Sequence, residues 1–202
     1  GGDTVCALAA GCPVVCRAHP AHPGTSELVA RAIRQAIQDC ALHEGVFSLL
    51  GGIGHEVGEW LVKHPAIMSV GFTGSYAGGT ALAAIAAQRA VPIPVFAEMG
   101  SINPVYLCPQ ALSARTETLA REFVGSLTMG VGQFCTNPGI VIALEGETFE
   151  AFVHTAAQDI ATRPAMTMLT PDIHAAYDAG AGKLARCPGV TVVGQGTDNG
   201  AP

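Results

Sequence analysis

The sequence predicts an α/β fold: a parallel, doubly wound, Rossmann-like sheet followed by part of a second α/β domain. Short apolar runs alternate with helical patterns through the first hundred positions, giving strand, helix, strand, helix, strand, helix, strand. The connections between them are short, which favours parallel strands with crossover helices on the sheet faces. The glycine- and proline-rich loops at 17–24, 51–54 and 74–79 each follow a strand, and it is at the carboxyl ends of such strands that ligands bind.

Each element has its own reason. Residues 4–10, Thr-Val-Cys-Ala-Leu-Ala-Ala, read as the second half of a helix stopped at Gly11. Pro13-Val14-Val15-Cys16 reads as a short buried strand, and residues 17–24 as a rigid loop beyond it. Thr25 or Ser26 is placed to cap the next helix, where Val29, Ala32, Ile33, Ala36 and Ile37 share one face and Leu42 lies near the end. Residues 46–50 form a second strand and 55–63 a short helix with Trp60 and Leu61 toward the sheet. Residues 67–73 form a third strand, which runs into a helix through Gln88, and residues 93–96 form a fourth.

After Glu98 the texture changes. Ser113 is placed to cap a long helix reaching about Met129, with Leu119, Phe123 and Leu127 on one face. Residues 140–144 read as a strand, 147–162 and 171–186 as helices, and Val190-Thr191-Val192-Val193 as a last strand. A domain boundary is expected near 97–103. A helix without a start at one end and a loop at the other suggest a piece of a longer chain.

Composition narrows the function classes. The chain has 202 residues, 49% of them hydrophobic and 13% charged, enough to bury a core. The net charge is −6, and the ten Lys and Arg form no basic run, which argues against a nucleic-acid surface. No apolar stretch approaches the roughly 20 residues of a membrane span, and no secretory signal pattern opens the chain. Seven irregularly spaced cysteines without a CxxC motif read as reduced thiols of a cytoplasmic protein. His19 and His22 are separated by prolines in an extended loop, so no metal site is expected.

Three stretches carry possible chemistry. In Gly132-Gln133-Phe134-Cys135-Thr136-Asn137-Pro138-Gly139 a cysteine has polar and glycine neighbours that make poor core material, so a reactive thiol is favoured over a packed one. Glu98 follows an apolar strand, where a solvated acid and a general base are equally open readings. Gly74-Ser75-Tyr76-Ala77-Gly78-Gly79 joins a strand to a helix. It suits either a phosphate at the helix N-terminus or an ordinary tight turn, and it is not the GxGxxG fingerprint.

Together these stretches resemble the aldehyde dehydrogenase superfamily, on Gly71-Phe72-Thr73-Gly74-Ser75, Glu98-Met99-Gly100, Asn103-Pro104 and Gly132-Gln133-Phe134-Cys135, in order and spacing, from residue 1 to about 160. Residues 19–28, 98–104 and 134–139 are most similar to the 2-oxoglutarate semialdehyde dehydrogenases within it. The resemblance implies residues 1–97 as a dinucleotide-binding domain truncated at its N-terminus, and 98–202 as the N-terminal part of a catalytic domain. It implies a Cys135 nucleophile that forms a thiohemiacetal and then a thioester, and Glu98 as the base for hydrolysis. The oxyanion would meet the backbone N–H of Cys135 and an asparagine from outside this sequence. Thr73, Gly74, Ser75 and Gly79 would line the pyrophosphate side, with Ser75 as a hydroxyl donor, Arg17 and Pro20 would lie near the adenosine ribose, and His19, Met99 and Gly100 are further expected cofactor-binding residues.

Arg17 stands where the family usually has lysine, and Pro20 where NAD-preferring members often have glutamate, so the resemblance points to NADP, with NAD possible. The expected partner is a small aldehyde, and the full-length protein is expected to be a homo-oligomer. The 202-residue piece alone is expected to be inactive. Two other readings stand beside this one: a coenzyme A-acylating aldehyde dehydrogenase, in which a thiol releases the thioester, and a non-catalytic dinucleotide-binding module.

Overall fold

A computed structural model describes residues 2–197. The chain divides into two compact units, Gly1–Gly100 and Ser101–Pro202.

The first unit runs α1 (Gly2–Ala9), β1 (Val14–Arg17), α2 (Pro23–Asp39), β2 (Phe47–Leu50), α3 (Glu56–Lys63), β3 (Val70–Gly74), α4 (Tyr76–Ala87) and β4 (Val95–Met99). β1 pairs with β2 in parallel, from Val14 opposite Phe47 to Arg17 opposite Leu50. β3 pairs with β4 in parallel, from Val70 opposite Val95 to Gly74 opposite Met99. Parallel neighbours need a crossover; it is α2 with a short 3-10 turn in the first pair and α4 in the second. Ala30 and Ile37 of α2 bury against Phe47, with Val14, Cys16 and Leu49 around them. Val62 of α3 and Ala86 of α4 bury with Ile93, alongside Val70 and Val95.

Two local expectations need correction here. Neither Thr25 nor Ser26 caps α2, which begins at Pro23; proline's fixed φ and absent N–H suit a first helical position. The helix stops at Asp39 rather than near Leu42. Ala41 turns left-handed at φ 51°, and the bonds Ala41 N–H to Gln38 O and Leu42 N–H to Ile37 O close a Schellman end.

Trp60 does not face the sheet: it is 63% exposed, whereas Val62 is only 2% exposed. At 100° per residue the two side chains point about 200° apart, so burying Val62 turns Trp60 outward.

The second unit runs β5 (Asn103–Leu107), α5 (Pro109–Thr128), a 3-10 turn (Met129–Gly132), β6 (Pro138–Ala143), α6 (Glu147–Ala161) and α7 (Pro171–Ala185). β5 and β6 are parallel, with an irregularity between Asn103 and Pro104. α5 and α6 pack on this pair through Leu107, Leu112, Ala120 and Phe152. The Phe123 and Phe152 rings meet at a tilt, their centres 5.8 Å apart.

Ser113 is not a cap. α5 begins at Pro109, and the Ser113 hydroxyl donates to Gln110 O inside the helix. No strand forms over 190–193: no neighbouring strand among the described residues offers a ladder there, and Thr191, Val192 and Val193 lie beside Phe149, Val153 and Ala157 of α6. Among the described residues no helix is long and apolar enough to cross a membrane.

Candidate active site

Cys135 sits in an exposed bend between α5 and β6. The chain enters it through three successive left-handed residues, Gly130 (φ 57°), Val131 (φ 60°) and Gly132 (φ 71°). Glycine adopts this conformation without a Cβ clash. For the β-branched Val131 it costs on the order of 1–3 kcal/mol, strain that a surrounding structure must hold. A Cβ on Gly130 would come within 2.5 Å of the Phe134 ring, so the glycine also leaves room for that ring.

Side-chain hydrogen bonds fix the bend. Ser101 Oγ donates to Cys135 O at 2.6 Å, and Asn103 Nδ2 donates to the same oxygen at 2.8 Å. Asn103 Nδ2 also donates to Asn137 O at 2.8 Å. Asn137 Nδ2 reaches Leu127 O at 2.7 Å, tying the bend to the end of α5. Gln133 donates to Gly130 O and accepts from Leu169 N–H. The result is a free, exposed thiol on a backbone with little freedom.

Glu98 lies near the end of β4, opposite Thr73 of β3. Alternation along β4 exposes Phe96 and Glu98 on one face and half-buries Ala97 and Met99 on the other. Among the described residues the Glu98 carboxylate has no ion-pair or hydrogen-bond partner, so its lone pairs are open to solvent or substrate. Glu98 belongs to the first unit and Cys135 to the second.

The carboxyl end of the β3–β4 pair collects Thr73, Gly74, Ser75, Gly79, Met99 and Gly100. Gly100 turns left-handed at φ 61° and donates to Gly74 O at 3.1 Å. Ser75 caps α4, its Oγ accepting from Gly78 N–H at 3.1 Å. Gly79 N–H is taken by Ser75 O. Among the described residues the N–H groups of Tyr76 and Ala77 have no acceptor, as expected of a first helical turn. Such a turn fits a phosphate group.

The glycines here also make room for side chains. A Cβ on Gly74 would press on the Phe72 ring at 2.7 Å, and one on Gly79 would overlap the Met99 thioether.

Arg17, His19 and Pro20 lie at the carboxyl end of β1. Arg17 is half-buried and donates from Nη2 to Gly54 O in the loop after β2. Among the described residues its Nε is buried without a hydrogen-bond partner. Arg163 Nε is orphaned in the same way, so what suits Arg17 to an anionic group is its guanidinium Nη end at the exposed side of this loop. His19 and Pro20 are exposed, and His19 Nδ1 accepts from Ala21 N–H. Among the described residues no group of three or more His, Cys, Asp or Glu is placed to hold a metal ion.

The sequence singles out Cys135, Glu98 and the glycine turn, but it assigns no role to Ser101, Asn103 and Asn137, which hold the cysteine bend. The signal is present: three short polar side chains beside prolines and glycines, where regular backbone bonding is interrupted.

A family model described as the aldehyde dehydrogenase family matches residues 1–179. The chain is 58% identical over 196 residues to alpha-ketoglutaric semialdehyde dehydrogenase 2 of Azospirillum brasilense, covering 97% of this chain and 37% of that protein. It is 44% identical, with the same coverage, to alpha-ketoglutaric semialdehyde dehydrogenase of Acinetobacter baylyi. The chain thus spans 37% of the length of these curated relatives. Among solved structures, a mutant of aldehyde dehydrogenase C from Pseudomonas syringae, in complex with NAD+ and octanal, superposes with a TM-score of 0.76 at 27% identity, over 98% of this chain and 41% of that one. A proline utilization A mutant from Bradyrhizobium japonicum shares the fold, with a TM-score of 0.80 at 22% identity, over 100% of this chain and 20% of that one.

Proposed function

The chain belongs to the aldehyde dehydrogenase family, and from that premise we propose that the protein carrying it oxidises an aldehyde to a carboxylic acid, with 2-oxoglutarate semialdehyde as substrate and NADP as preferred cofactor. The observation that carries this reading is the exposed Cys135 thiol on a backbone bend held by Ser101 and Asn103. The identity to relatives named for this semialdehyde supports the substrate.

In this mechanism the Cys135 thiolate gives an electron pair to the aldehyde carbon, and the carbonyl π pair moves onto oxygen. The backbone N–H of Cys135, which has no protein acceptor among the described residues, is free to meet the resulting oxyanion. A bound nicotinamide supplies the hydride acceptor that lets this adduct become a thioester. Glu98 then takes a proton from water, whose oxygen adds to the thioester carbon, and the Cys135 thiolate leaves.

Residues 1–97 would serve as the dinucleotide-binding part and residues 98–202 as the catalytic part. The Ser75 hydroxyl and the Tyr76 and Ala77 amides would hold a pyrophosphate, with Thr73, Gly74, Gly79, Met99 and Gly100 shaping that turn. Arg17 would pair with a 2′-phosphate on the ribose side near His19, and Pro20 brings no carboxylate to repel it. Glu98, with no partner among the described residues to occupy it, favours hydrolysis over release by an external thiol.

Two measurements test the reading in the protein that carries this chain. The ratio of kcat/KM for NADP+ over NAD+ should exceed one, and a strong NAD+ preference would refute the role of Arg17. Among 2-oxoglutarate semialdehyde, succinate semialdehyde and simple aliphatic aldehydes, the first should give the highest kcat/KM; a higher value for an aliphatic aldehyde would refute the substrate.

A further inference from the structure

We infer that Ser101 and Asn103 are positioning residues for Cys135, holding its carbonyl so that the sulfur is presented in one orientation; this rests on the nucleophile reading above. The bend has little backbone bonding of its own. Asn137 N–H to Phe134 O, at 3.0 Å, links its two ends. The ladder beside it is interrupted, because β6 opens with Pro138, opposite Asn103, and the register shifts at Asn103 and Pro104. Proline has no N–H to give a ladder. The Asn103 amide stands in for the missing rungs, with one nitrogen bridging Cys135 O and Asn137 O.

Both neighbours of that nitrogen are carbonyl oxygens, so only the NH2 end of Asn103 can face them. Ser101 brings a second donor to Cys135 O. A carbonyl oxygen has two acceptor sites, and two donors here fix its direction.

A trans peptide is planar, so fixing Cys135 O fixes the whole peptide to Thr136, with the Thr136 N–H pointing the opposite way. With the chain on the entering side held by the left-handed turn over Gly130, Val131 and Gly132, this restricts ψ of Cys135 and so the direction of Cβ, from which the sulfur occupies a staggered χ1 rotamer. Ser101 and Asn103 therefore act on the reaction through Cys135 rather than on substrate or cofactor.

The test uses the protein that carries this chain, with iodoacetamide as thiol probe and mass spectrometry of the Cys135 peptide as readout. Four variants are compared: Ser101→Ala, Ser101→Thr, Asn103→Ala and Asn103→Asp. Asn103→Asp keeps the shape but replaces a donor by an acceptor facing two carbonyl oxygens.

In Asn103→Ala and Asn103→Asp, kcat should fall about 10²-fold, the scale of a nucleophile misplaced by about an ångström from a bound substrate, and the Cys135 alkylation rate should fall with it. The aldehyde KM and the NADP+ dissociation constant should stay within about twofold, because neither ligand loses a contact. Ser101→Ala should lower both rates, and Ser101→Thr, which keeps the hydroxyl, should restore them. The six other cysteines should label at parental rates in every variant.

The inference is overturned if Cys135 labels at the parental rate in Ser101→Ala and Asn103→Asp, or if Ser101→Thr is as impaired as Ser101→Ala. If Asn103→Asp fails to fold, the Ser101 pair decides by the same criteria. Failure of the nucleophile reading looks different: Cys135→Ser would keep full aldehyde turnover in an otherwise unaltered protein.

Discussion

Replacing Gly79 by alanine tests whether the turn at the carboxyl end of β3 and β4 is built by close packing. Gly79 lies in the first turn of α4 and is buried. A Cβ there would overlap Met99 Sδ and Cγ, both mid-side-chain atoms, and sit 3.3 Å from Phe72 Cδ1. Overpacking of this kind costs about 1–3 kcal/mol. The helix-propensity gain of alanine over glycine returns about 1 kcal/mol, leaving a net loss of about 0–2 kcal/mol.

Gly58 in α3 is the control. It belongs to the same unit, and a Cβ there meets nothing within 4 Å, so Gly58→Ala should gain about 0.5–1 kcal/mol. The two variants should differ by about 1–3 kcal/mol, several degrees in Tm for a unit of this size. Calorimetry measures this, with Met99→Ala added to each. Removing the thioether should make Gly79→Ala less harmful than in the parent, a non-additive coupling of about 1 kcal/mol or more. Stabilisation by Gly79→Ala equal to that of Gly58→Ala, or strict additivity with Met99→Ala, would refute the packing argument.

Further predictions concern the site. Arg17→Ala should lower kcat/KM with NADP+ by about tenfold or more, the scale of a lost charge-assisted pair, and leave NAD+ nearly unchanged; equal losses for both cofactors would contradict the ribose-side role. Val131→Gly relieves the left-handed strain and should leave Tm within a few degrees of the parent, whereas Gly132→Ala should lose about 1–2 kcal/mol by denaturant titration. Asn137→Ala leaves Leu127 O without its donor and should cost about 1–2 kcal/mol on the same assay. The 202-residue chain expressed alone should turn over no aldehyde in a spectrophotometric NADPH assay.

Much of this molecule is legible in its sequence because periodicity and burial agree. The helical patterns at 147–162 and 171–186 fall within a residue of α6 and α7. The alternation of strands and helices points to the parallel pairs. Helix starts at Pro23 and Pro109 are less legible, because hydroxyl residues within the first five positions of a helix resemble caps. β5 escapes a pattern reading: its five residues include a proline, and its inward set is just Asn103, Val105 and Leu107. The run at 190–193 has strand composition, but composition cannot supply a neighbour to pair with. Cys135 stands out by its polar neighbours, while its bracing does not, because Ser101 and Asn103 lie more than thirty positions upstream.

The most direct test of the chemistry joins Cys135 and Glu98 in one measurement. The Glu98→Gln variant of the protein that carries this chain, mixed with NADP+ and 2-oxoglutarate semialdehyde, should release about one equivalent of NADPH and then stall. Mass spectrometry should find the acyl group on the Cys135 peptide. Full steady turnover by that variant, or an acyl group on another residue, would contradict a thioester on Cys135 hydrolysed with the help of Glu98.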